Sequence, residues 1–416
     1  MTRALRLASH RAPHRAPEPG PGPVPAGLPA PLAGVLGDLR LDPATATWSR
    51  RPGGGDAWLV LPSAARPRLL VPAGPGGARL TAQRLARGPR ARVKRAAATA
   101  VVRRGAALPL PRLRVADPGL AELRRWLAPA GADPERCVLG VLLGPPRANR
   151  KPVLVLLDGT GQPLCYAKAG VGALSTGLVR AETRALASVA AMGLRSLRAP
   201  RVLRTGRWRG LELLVTSPLA GRGSLRHPAD LPVRATRELM AHGVRRDRPL
   251  GASAILAPDR IAAPPVPGLP ALAGLRERLL AVAGDRRLPL GAAHGDWTPW
   301  NLARSGDLVE AWDWERFETD VPQGLDAVHF AASAVDHDAP ARAEERLLRE
   351  LPGQLAACGV DPALTRTLLC TYLLHICGRY VRDLALEPTA SVERRTRWAA
   401  RLLTDQVGLL EHEESP

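Results

Sequence analysis

The sequence predicts an α+β fold in which an antiparallel sheet with one helix precedes a mostly helical part, and a small α/β module comes before both. Three observations predict this arrangement. Short apolar runs separated by turn signals follow one another between residues 137 and 169, a helical pattern and two further strand-like runs come next, and the apolar spacing after Gly221 is largely helical. A chain of 416 residues is also long enough for two or three modules.

The amino-terminal part is predicted to hold a tail and a basic module. Residues 1–35 are rich in Pro, Ala, Gly and Arg and show neither a helical nor an alternating apolar period, so we expect a disordered tail. Residues 36–130 are predicted to form the small α/β module, with two short strands in Ala57–Val71 and a helical stretch in Ala78–Val102.

The role of this module stays open from the sequence. Between Arg79 and Arg104 it carries nine basic and no acidic residues, a charge that fits an anionic lipid surface or a protein partner. A solvated basic face is the plainer alternative. Nucleic acid is disfavoured as a partner because no aromatic residue is interleaved for base stacking.

Charge is distributed unevenly along the chain, whose formal net charge is +21. Residues 1–104 hold 18 Arg and Lys against four Asp and Glu, whereas residues 310–416 hold 11 against 19. The basic excess therefore lies outside the part with the candidate catalytic residues, and the acidic surplus at the other end suits either a cationic acceptor or a solvated helix surface. Only three of the 59 basic residues are lysines, so each lysine is informative.

Two further features bear on the compartment. The five cysteines form no CxxC pair and have no zinc spacing with histidine, so we expect reduced thiols rather than a disulfide framework or a structural metal. The chain has no secretory signal and no run of about 18 apolar residues, the length a membrane span needs. These features predict a cytoplasmic protein without a transmembrane segment.

Residues 137–218 are predicted to form a five-stranded antiparallel sheet with one helix between its third and fourth strands. The turn signals GPPRANRK and DGTGQP separate the first three apolar runs, as hairpin connections should. The predicted strands and the helix are Cys137–Gly144, Pro152–Asp158, Leu164–Ala169, the helix from about Thr176 to Met192, Ala199–Thr205 and Leu211–Ser217.

The residues that point to chemistry lie in one segment, in the order His294, Asp296, Asn301, Asp313 and Asp326. Phosphoryl transfer needs a carboxylate that orients the acceptor hydroxyl and accepts its proton, and it needs oxygen ligands that hold magnesium against the phosphates. Asp296 follows an apolar strand-like run, Asn301 comes five residues later, and Asp313 follows a second short strand. The spacing therefore supplies both requirements.

The string HGDxxxxN, an Asp twelve residues after its Asn, and a PxxxD at the next helix start resemble the aminoglycoside phosphotransferase and choline kinase group. That group shares a bilobal protein-kinase-like fold, and the resemblance covers about residues 137–405. It implies an N-lobe at 137–218 and a C-lobe with the catalytic loop at 219–416. It also implies transfer of the γ-phosphate of ATP, with Mg²⁺, to a hydroxyl of a small molecule such as a sugar, an amino sugar or an amino alcohol.

The resemblance assigns each residue of the segment a role. Asp296 would be the catalytic base, and Asn301 and Asp313 would bind the metal. His294 would brace the loop structurally. Asp326 would hydrogen-bond the backbone of the catalytic loop, although an ordinary Asp at a helix start is an equal alternative.

The N-lobe offers matching residues for the nucleotide. A kinase needs a lysine on its third strand and a glutamate on the next helix to hold the α and β phosphates. Lys168 lies on the third strand-like run, and Glu182 is the acidic residue of the following helical stretch. In the run TSPLAG, Ser217 and Leu219 fall where the hinge between the lobes would offer backbone groups to adenine.

The turn GPPRANRK departs from the glycine-rich pattern of protein kinases. Backbone N–H groups with Arg147, Asn149, Arg150 or Lys151 could contact phosphate there, and a solvated basic hairpin tip is the alternative. This departure motivates a second hypothesis, a nucleotide-binding pseudokinase with a regulatory or scaffold role. A third is a basic membrane- or nucleic-acid-binding protein in which the fold is incidental. The kinase is favoured over the pseudokinase because Lys168, Asp296, Asn301 and Asp313 are all present. A small molecule is favoured over a protein as the acceptor because no protein-kinase activation segment follows Asp313.

Overall fold

The computed structural model describes residues 27–50, 57–84, 89–105, 108, 110–144, 150–221, 225, 230–243, 247–262, 264–386 and 388–414. Most of the predicted tail lies outside these residues. Helix α1 begins at Ala30, inside the segment predicted to be tail, because Leu32 and Leu36 are fully buried against the rest of the molecule. The predicted boundary at residue 35 was therefore placed too late.

The described chain is a mixture of helices and mostly antiparallel strands, as the sequence predicts, and β8 with β15 is the parallel pair. The sixteen strands are β1 Ala46–Ser49, β2 Ala57–Ser63, β3 Arg66–Pro72, β4 Arg112–Val115, β5 Val138–Leu142, β6 Val153–Leu157, β7 Pro163–Gly170, β8 Leu197–Arg198, β9 Val202–Trp208, β10 Leu211–Thr216, β11 Arg248–Pro249, β12 Arg287–Leu288, β13 Leu290–Ala293, β14 Leu302–Ser305, β15 Leu308–Ala311 and β16 Glu318–Pro322. The α-helices are α1 Ala30–Asp38, α2 Pro75–Arg84, α3 Pro89–Arg104, α4 Pro118–Leu127, α5 Ala173–Ala191, α6 Val233–Met240, α7 Pro258–Ile261, α8 Leu272–Ala283, α9 Leu325–Ala332, α10 Pro340–Ala357, α11 Thr365–Leu386 and α12 Ala390–Glu414.

The main sheet has nine strands, in the order β1-β4-β2-β3-β5-β6-β7-β10-β9, and every neighbouring pair is antiparallel. Between residues 137 and 218 the chain contributes the consecutive strands β5, β6, β7, β10 and β9 to this sheet. The first module does not form a sheet of its own, because β3 pairs with β5 through Leu69 and Leu142 and through Leu70 and Val141. This pairing joins segments far apart in sequence, so local patterns do not reveal it.

The first module and the N-lobe also share a hydrophobic core. Leu36, Leu113 and Leu123 of the module belong to the same buried cluster as Leu139 and Leu213 of the N-lobe strands. The indole Nε1 of Trp58 donates to the carbonyl of Leu139 at 2.5 Å, inside this cluster. The module is therefore packed into the N-lobe as part of one body.

The C-lobe is built around α11, whose residues from Thr367 to Leu374 are buried on every side. A helix buried all round belongs at the centre of a helical layer, and α11 packs on α8, α9 and α12. Helix α5 joins this core through Val179 and Leu186, so it links the sheet to the helical lobe. No helix of the described residues combines the length and apolarity needed to cross a bilayer.

Candidate active site

The loop between β13 and β14 holds His294, Asp296 and Asn301 and is fixed by its own residues. Trp297 is fully buried, and its Nε1 donates to the Thr236 hydroxyl on α6 at 3.1 Å. Gly295 has φ +76°, and a Cβ there would lie 2.2 Å from the Arg316 carbonyl oxygen. Only glycine fits between His294 and Asp296 for this reason.

Asp326 and His294 fix the loop through hydrogen bonds with its backbone. Asp326, in the first turn of α9, accepts the backbone N–H of His294 at 2.7 Å and that of Gly295 at 3.0 Å. His294 Nδ1 accepts the Asp296 N–H at 3.2 Å, and its Nε2 lies 3.0 Å from the Trp312 carbonyl. His294 is therefore a neutral ring protonated at Nε2, and burial lowers its pKa further. Both residues are hydrogen-bonded to the loop backbone and stabilise the loop.

Asp296 is surrounded by partners on both carboxylate oxygens. Asn301 Nδ2 donates to Oδ2 at 2.7 Å, and Arg379 Nη2 and His329 Nε2 each lie 3.3 Å from Oδ1. Burial by itself raises the pKa of Asp296, but the hydrogen bond from His329 and the charge of Arg379 reverse this effect. The pKa of Asp296 therefore lies well below its usual range.

Lys168 forms ion pairs with two carboxylates, those of Glu182 and Asp313. Its Nζ donates to both oxygens of Glu182, at 2.6 and 2.7 Å, and also to Oδ1 of Asp313. Strand β7 places the lysine between β6 and β10, where it pairs with Val153 and Leu214. Burial lowers the pKa of Lys168, but the two carboxylates raise it by more, so the ammonium stays charged.

Asp313 occupies a backbone conformation that few residues adopt. Its φ of 66° and ψ of 53° are left-handed, a region that Asp tolerates better than most side chains. Such conformations are retained where the surrounding structure requires them. Burial would raise the pKa of Asp313, and the charge and hydrogen bond of Lys168 lower it below its usual value. The side chain is 41% exposed, so solvent reaches the carboxylate.

Oxygen donors suited to magnesium are present on the two predicted ligands. Because Asn301 Nδ2 donates to Asp296, the amide oxygen of Asn301 is the atom left for a cation. No set of three or more His, Cys, Asp or Glu side chains in the described ranges is arranged around a metal position. An amide oxygen and one carboxylate nevertheless fit Mg²⁺, which takes most of its remaining ligands from phosphate and water.

The predicted phosphate turn is described only at its edges. Arg147 and Asn149 lie outside the described residues. Arg150 forms an ion pair with Asp38 of α1 at 2.7 Å, which directs it toward the first module. Lys151 pairs with Glu315, and burial together with the nearby charge of Lys168 lowers the pKa of Lys151 to about 8.

The segment after β10 is held at both ends. The Ser217 N–H donates to the Arg201 carbonyl at 2.9 Å, and the Ser217 hydroxyl accepts the Arg201 N–H at 3.0 Å. The Gly221 N–H donates to the buried carboxylate of Glu310. Leu219 lies half-buried between these anchors. The adenine contacts predicted for Ser217 and Leu219 stay a prediction.

Two residues of the site were not predicted from the sequence. His329 lies one turn after Asp326 on α9, so the pattern DxxH at the helix start was a usable signal. Arg379 comes from α11, 83 residues after Asp296, and no local spacing connects the two. It is one of many arginines in a chain rich in them, so composition gave no signal either.

This chain is similar in structure to several solved proteins. No protein-family model matches this chain, and no curated protein does either. Similar structures include an amicoumacin kinase in complex with AMP-PNP, Ca²⁺ and Ami, with 13% identity, a TM-score of 0.43, and 69% of this chain and 93% of that one covered. A glucosamine kinase in complex with glucosamine, ADP and inorganic phosphate has 17% identity, a TM-score of 0.38, and coverage of 66% and 83%.

An aminoglycoside phosphotransferase from Streptomyces rimosus in complex with ADP and streptomycin is also similar, with 22% identity, a TM-score of 0.36, and coverage of 55% and 89%. A choline/ethanolamine kinase family protein from Mesorhizobium loti is among the similar structures too. These proteins belong to the group that the motifs resemble. Their TM-scores are below 0.5, so the assignments that follow rest on the contacts of the site itself.

Proposed function

We propose that this protein is an ATP- and Mg²⁺-dependent phosphotransferase that moves the γ-phosphate to a hydroxyl of a small molecule. The observation that carries the proposal is the contact set of Lys168, which joins Glu182 of the N-lobe to Asp313 of the C-lobe. A lysine held between these two carboxylates, beside a loop with a second Asp and an Asn, provides the parts that phosphoryl transfer requires.

Two pairs of residues would hold the nucleotide and the metal. Lys168, oriented by the bidentate contact with Glu182, would bind the α and β phosphates. Asn301 and Asp313 would hold Mg²⁺ through their oxygens. Mg²⁺ held there would supply positive charge against the negative charge of the phosphates. Lys168, which contacts Asp313 and Glu182, lies beside these ligands and would bind phosphate next to the metal.

Asp296 would orient the acceptor hydroxyl and accept its proton. Its Oδ2 has one hydrogen-bond partner in the described structure, Asn301, and a carboxylate oxygen has room for a second. A carboxylate with a pKa well below its usual range is a weak base. Such a base suits a loose transition state, in which the proton leaves late and positioning matters more than basicity.

The segment after Asp313 favours a small-molecule acceptor over a protein substrate. Between Asp313 and α9 the chain forms only a short 3-10 turn and β16, which pairs with β13 beside the catalytic loop. This segment has no extended loop of the kind that would carry a peptide. Sugars, amino sugars and amino alcohols remain the proposed acceptor classes, and backbone groups near Ser217 and Leu219 are proposed to bind adenine.

The test is ATP binding and turnover by the purified chain with Mg²⁺ across a panel of these alcohols. Asp296→Asn should bind MgATP like the wild type and lose about 10²- to 10⁴-fold in kcat. Asp313→Asn should lose the Mg²⁺-dependent part of nucleotide affinity. Asp405→Asn, an exposed change on α12, is the matched control. Nucleotide binding without turnover on any acceptor would favour the pseudokinase alternative, and no nucleotide binding would refute the proposal.

A further inference from the structure

A small cleft, with a cavity volume of about 40 Å³, opens beside the catalytic loop. Its wall includes Gly295 of the loop and His329, the partner of Asp296, so an occupant would lie next to the base. Six residues supply its polar and aromatic wall: Arg316, Glu318, Asp326, His329, Tyr372 and His375.

The carboxylates of this wall already have partners. Glu318 forms an ion pair with Arg260 at 2.5 Å. Asp326 accepts two backbone N–H groups of the catalytic loop. Neither carboxylate is left to bind a cation in the cleft, so a cationic occupant would find no unpaired negative charge in the wall that the structure describes.

Arg316 is the exception among the charged residues of the wall. In the part of the chain that the structure describes, its guanidinium has neither a hydrogen bond nor an ion pair, although Asp383 and Asp296 are near enough to influence it. Burial and the charge of Arg379 lower the pKa of Arg316 to about 10 despite these carboxylates. A half-buried cation without a partner is stabilised by any anion that reaches it.

Two neighbouring groups on α11 also keep unused hydrogen-bonding atoms. Nε of Arg379 and Nδ1 of His375 are buried and have no hydrogen-bond partner among the described residues. His375 and Arg379 are four residues apart and therefore share one face of the helix. Arg379 lies within electrostatic range of Arg316. The side of the cleft next to Asp296 thus carries two guanidinium groups, and that of Arg379 is paired with Asp296 whereas that of Arg316 has no partner among the described residues.

We propose that the acceptor carries an anionic group, a phosphate or a carboxylate, which the guanidinium of Arg316 binds in this cleft while Asp296 receives the hydroxyl. This inference rests on the proposed phosphotransferase function and narrows its acceptor to hydroxy compounds with a negative charge. Guanidinium binds both anions through two parallel hydrogen bonds, which also fixes their orientation. The backbone of Arg316 packs against Gly295, so the anion and the base are held in a fixed relation.

The test compares four ligands that share one hydroxylated skeleton: glycerol, glycerol 3-phosphate, glycerate and 3-amino-1,2-propanediol. Binding is measured by calorimetry with the full chain, Mg²⁺ and saturating AMP-PNP, so that the phosphate positions of the nucleotide are filled. We expect glycerol 3-phosphate or glycerate to bind about 10- to 100-fold more tightly than glycerol or the amine, the range for a charge-assisted hydrogen bond. The phosphate and carboxylate arms show which anion is preferred.

The variants decide whether Arg316 is responsible. Arg316→Gln should abolish the preference for the anionic ligand, whereas Arg316→Lys should retain part of it, and both should bind AMP-PNP like the wild type. Arg349→Gln, on an exposed face of α10, is the matched control. Equal binding of the four ligands by the wild type, or an unchanged preference in a folded Arg316→Gln variant, would overturn the inference.

Failure of the proposed function gives a different result. If AMP-PNP does not bind, the phosphotransferase proposal fails, and the same four ligands are then measured without nucleotide. An anion preference that disappears in Arg316→Gln but persists in Lys168→Met would still support an anion site at Arg316. A preference lost only in Lys168→Met would place the anion at the phosphate position and contradict this inference.

Discussion

Nη2 of Arg379 lies 3.3 Å from Oδ1 of Asp296, and its Nη1 lies 3.4 Å from the carbonyl of Gly295, although 83 residues separate the arginine from the base. The arginine therefore contacts the base and the loop backbone together. We assign it a positioning role, because it fixes the orientation and the charge state of the carboxylate that is proposed to receive the hydroxyl.

Replacing Arg379 with Gln is expected to change the pH profile of the reaction. Arg379 lowers the pKa of Asp296, so its loss raises that pKa, and the base becomes protonated at a higher pH than in the wild type. The acid limb of kcat/KM should therefore move to higher pH, while Arg379→Lys should move it less. Profiles measured from pH 8 down to the lowest pH at which both proteins stay folded would check this, and an unshifted limb in a folded Arg379→Gln variant would count against the assigned role.

The loop of the candidate site could be predicted from the sequence, whereas the pairing that extends the sheet could not, and the reason is physical. The catalytic segment is local, so the order and spacing of its residues predicted a loop whose members the structure brings together. Arg379 and the pairing of β3 with β5 depend on contacts between distant segments. Such contacts are decided by which buried surfaces fit together, and a single sequence carries no local periodicity for them.

Substitutions of Lys168 and Glu182 are expected to change the free energy of unfolding and the affinity for nucleotide in different ways. Glu182 is 2% exposed, so Lys168→Met leaves a buried carboxylate without its cation and should lower the free energy of unfolding by about 3–5 kcal/mol. In the double variant Lys168→Met with Glu182→Met, both charges are gone and most of this loss should be recovered.

The affinity for nucleotide, unlike the stability, should not recover in the double variant. Neither the single nor the double variant can bind the phosphates through Lys168, so both should bind MgATP poorly. Urea unfolding and calorimetric ATP titration of the wild type and these two variants would measure the two effects. Recovery of ATP binding in the double variant would show that Lys168 has only a structural role.

Lys151 is expected to make ATP use sensitive to mildly alkaline pH. Its pKa is lowered to about 8, so its ammonium loses its proton as the pH rises through that value. The neutral amine no longer forms the ion pair with Glu315 beside the metal residue, and it no longer contributes positive charge near the phosphates. KM for ATP should then rise about fivefold, the effect of roughly 1 kcal/mol.

Two variants test the assignment to Lys151. Lys151→Arg stays protonated at these pH values, so the rise in KM between pH 7 and 9 should vanish. Lys151→Met should show the raised KM at every pH. A rise that persists unchanged in Lys151→Arg would assign the titration to another group.

The first module and the N-lobe are expected to unfold together. Trp58 of β2 is 3% exposed and donates to the carbonyl of Leu139 in β5, within a core that both parts share. Trp58→Ala should therefore lower the free energy of unfolding by about 3–5 kcal/mol. Because the sheet is continuous through β3 and β5, the loss should weaken the part proposed to bind nucleotide as much as the module.

Urea titrations of the wild type and Trp58→Ala would measure this with two probes, tryptophan fluorescence and retained AMP-PNP binding. Coincident transitions that shift together in the variant are expected for one cooperative unit. Trp58→Phe is the matched control: it keeps most of the buried ring and removes the N–H, so it should cost less than Trp58→Ala. If AMP-PNP binding instead survived a first transition in which the module unfolds, the module would be an independent domain. Its shared strands would then contribute little to the lobe that binds the nucleotide.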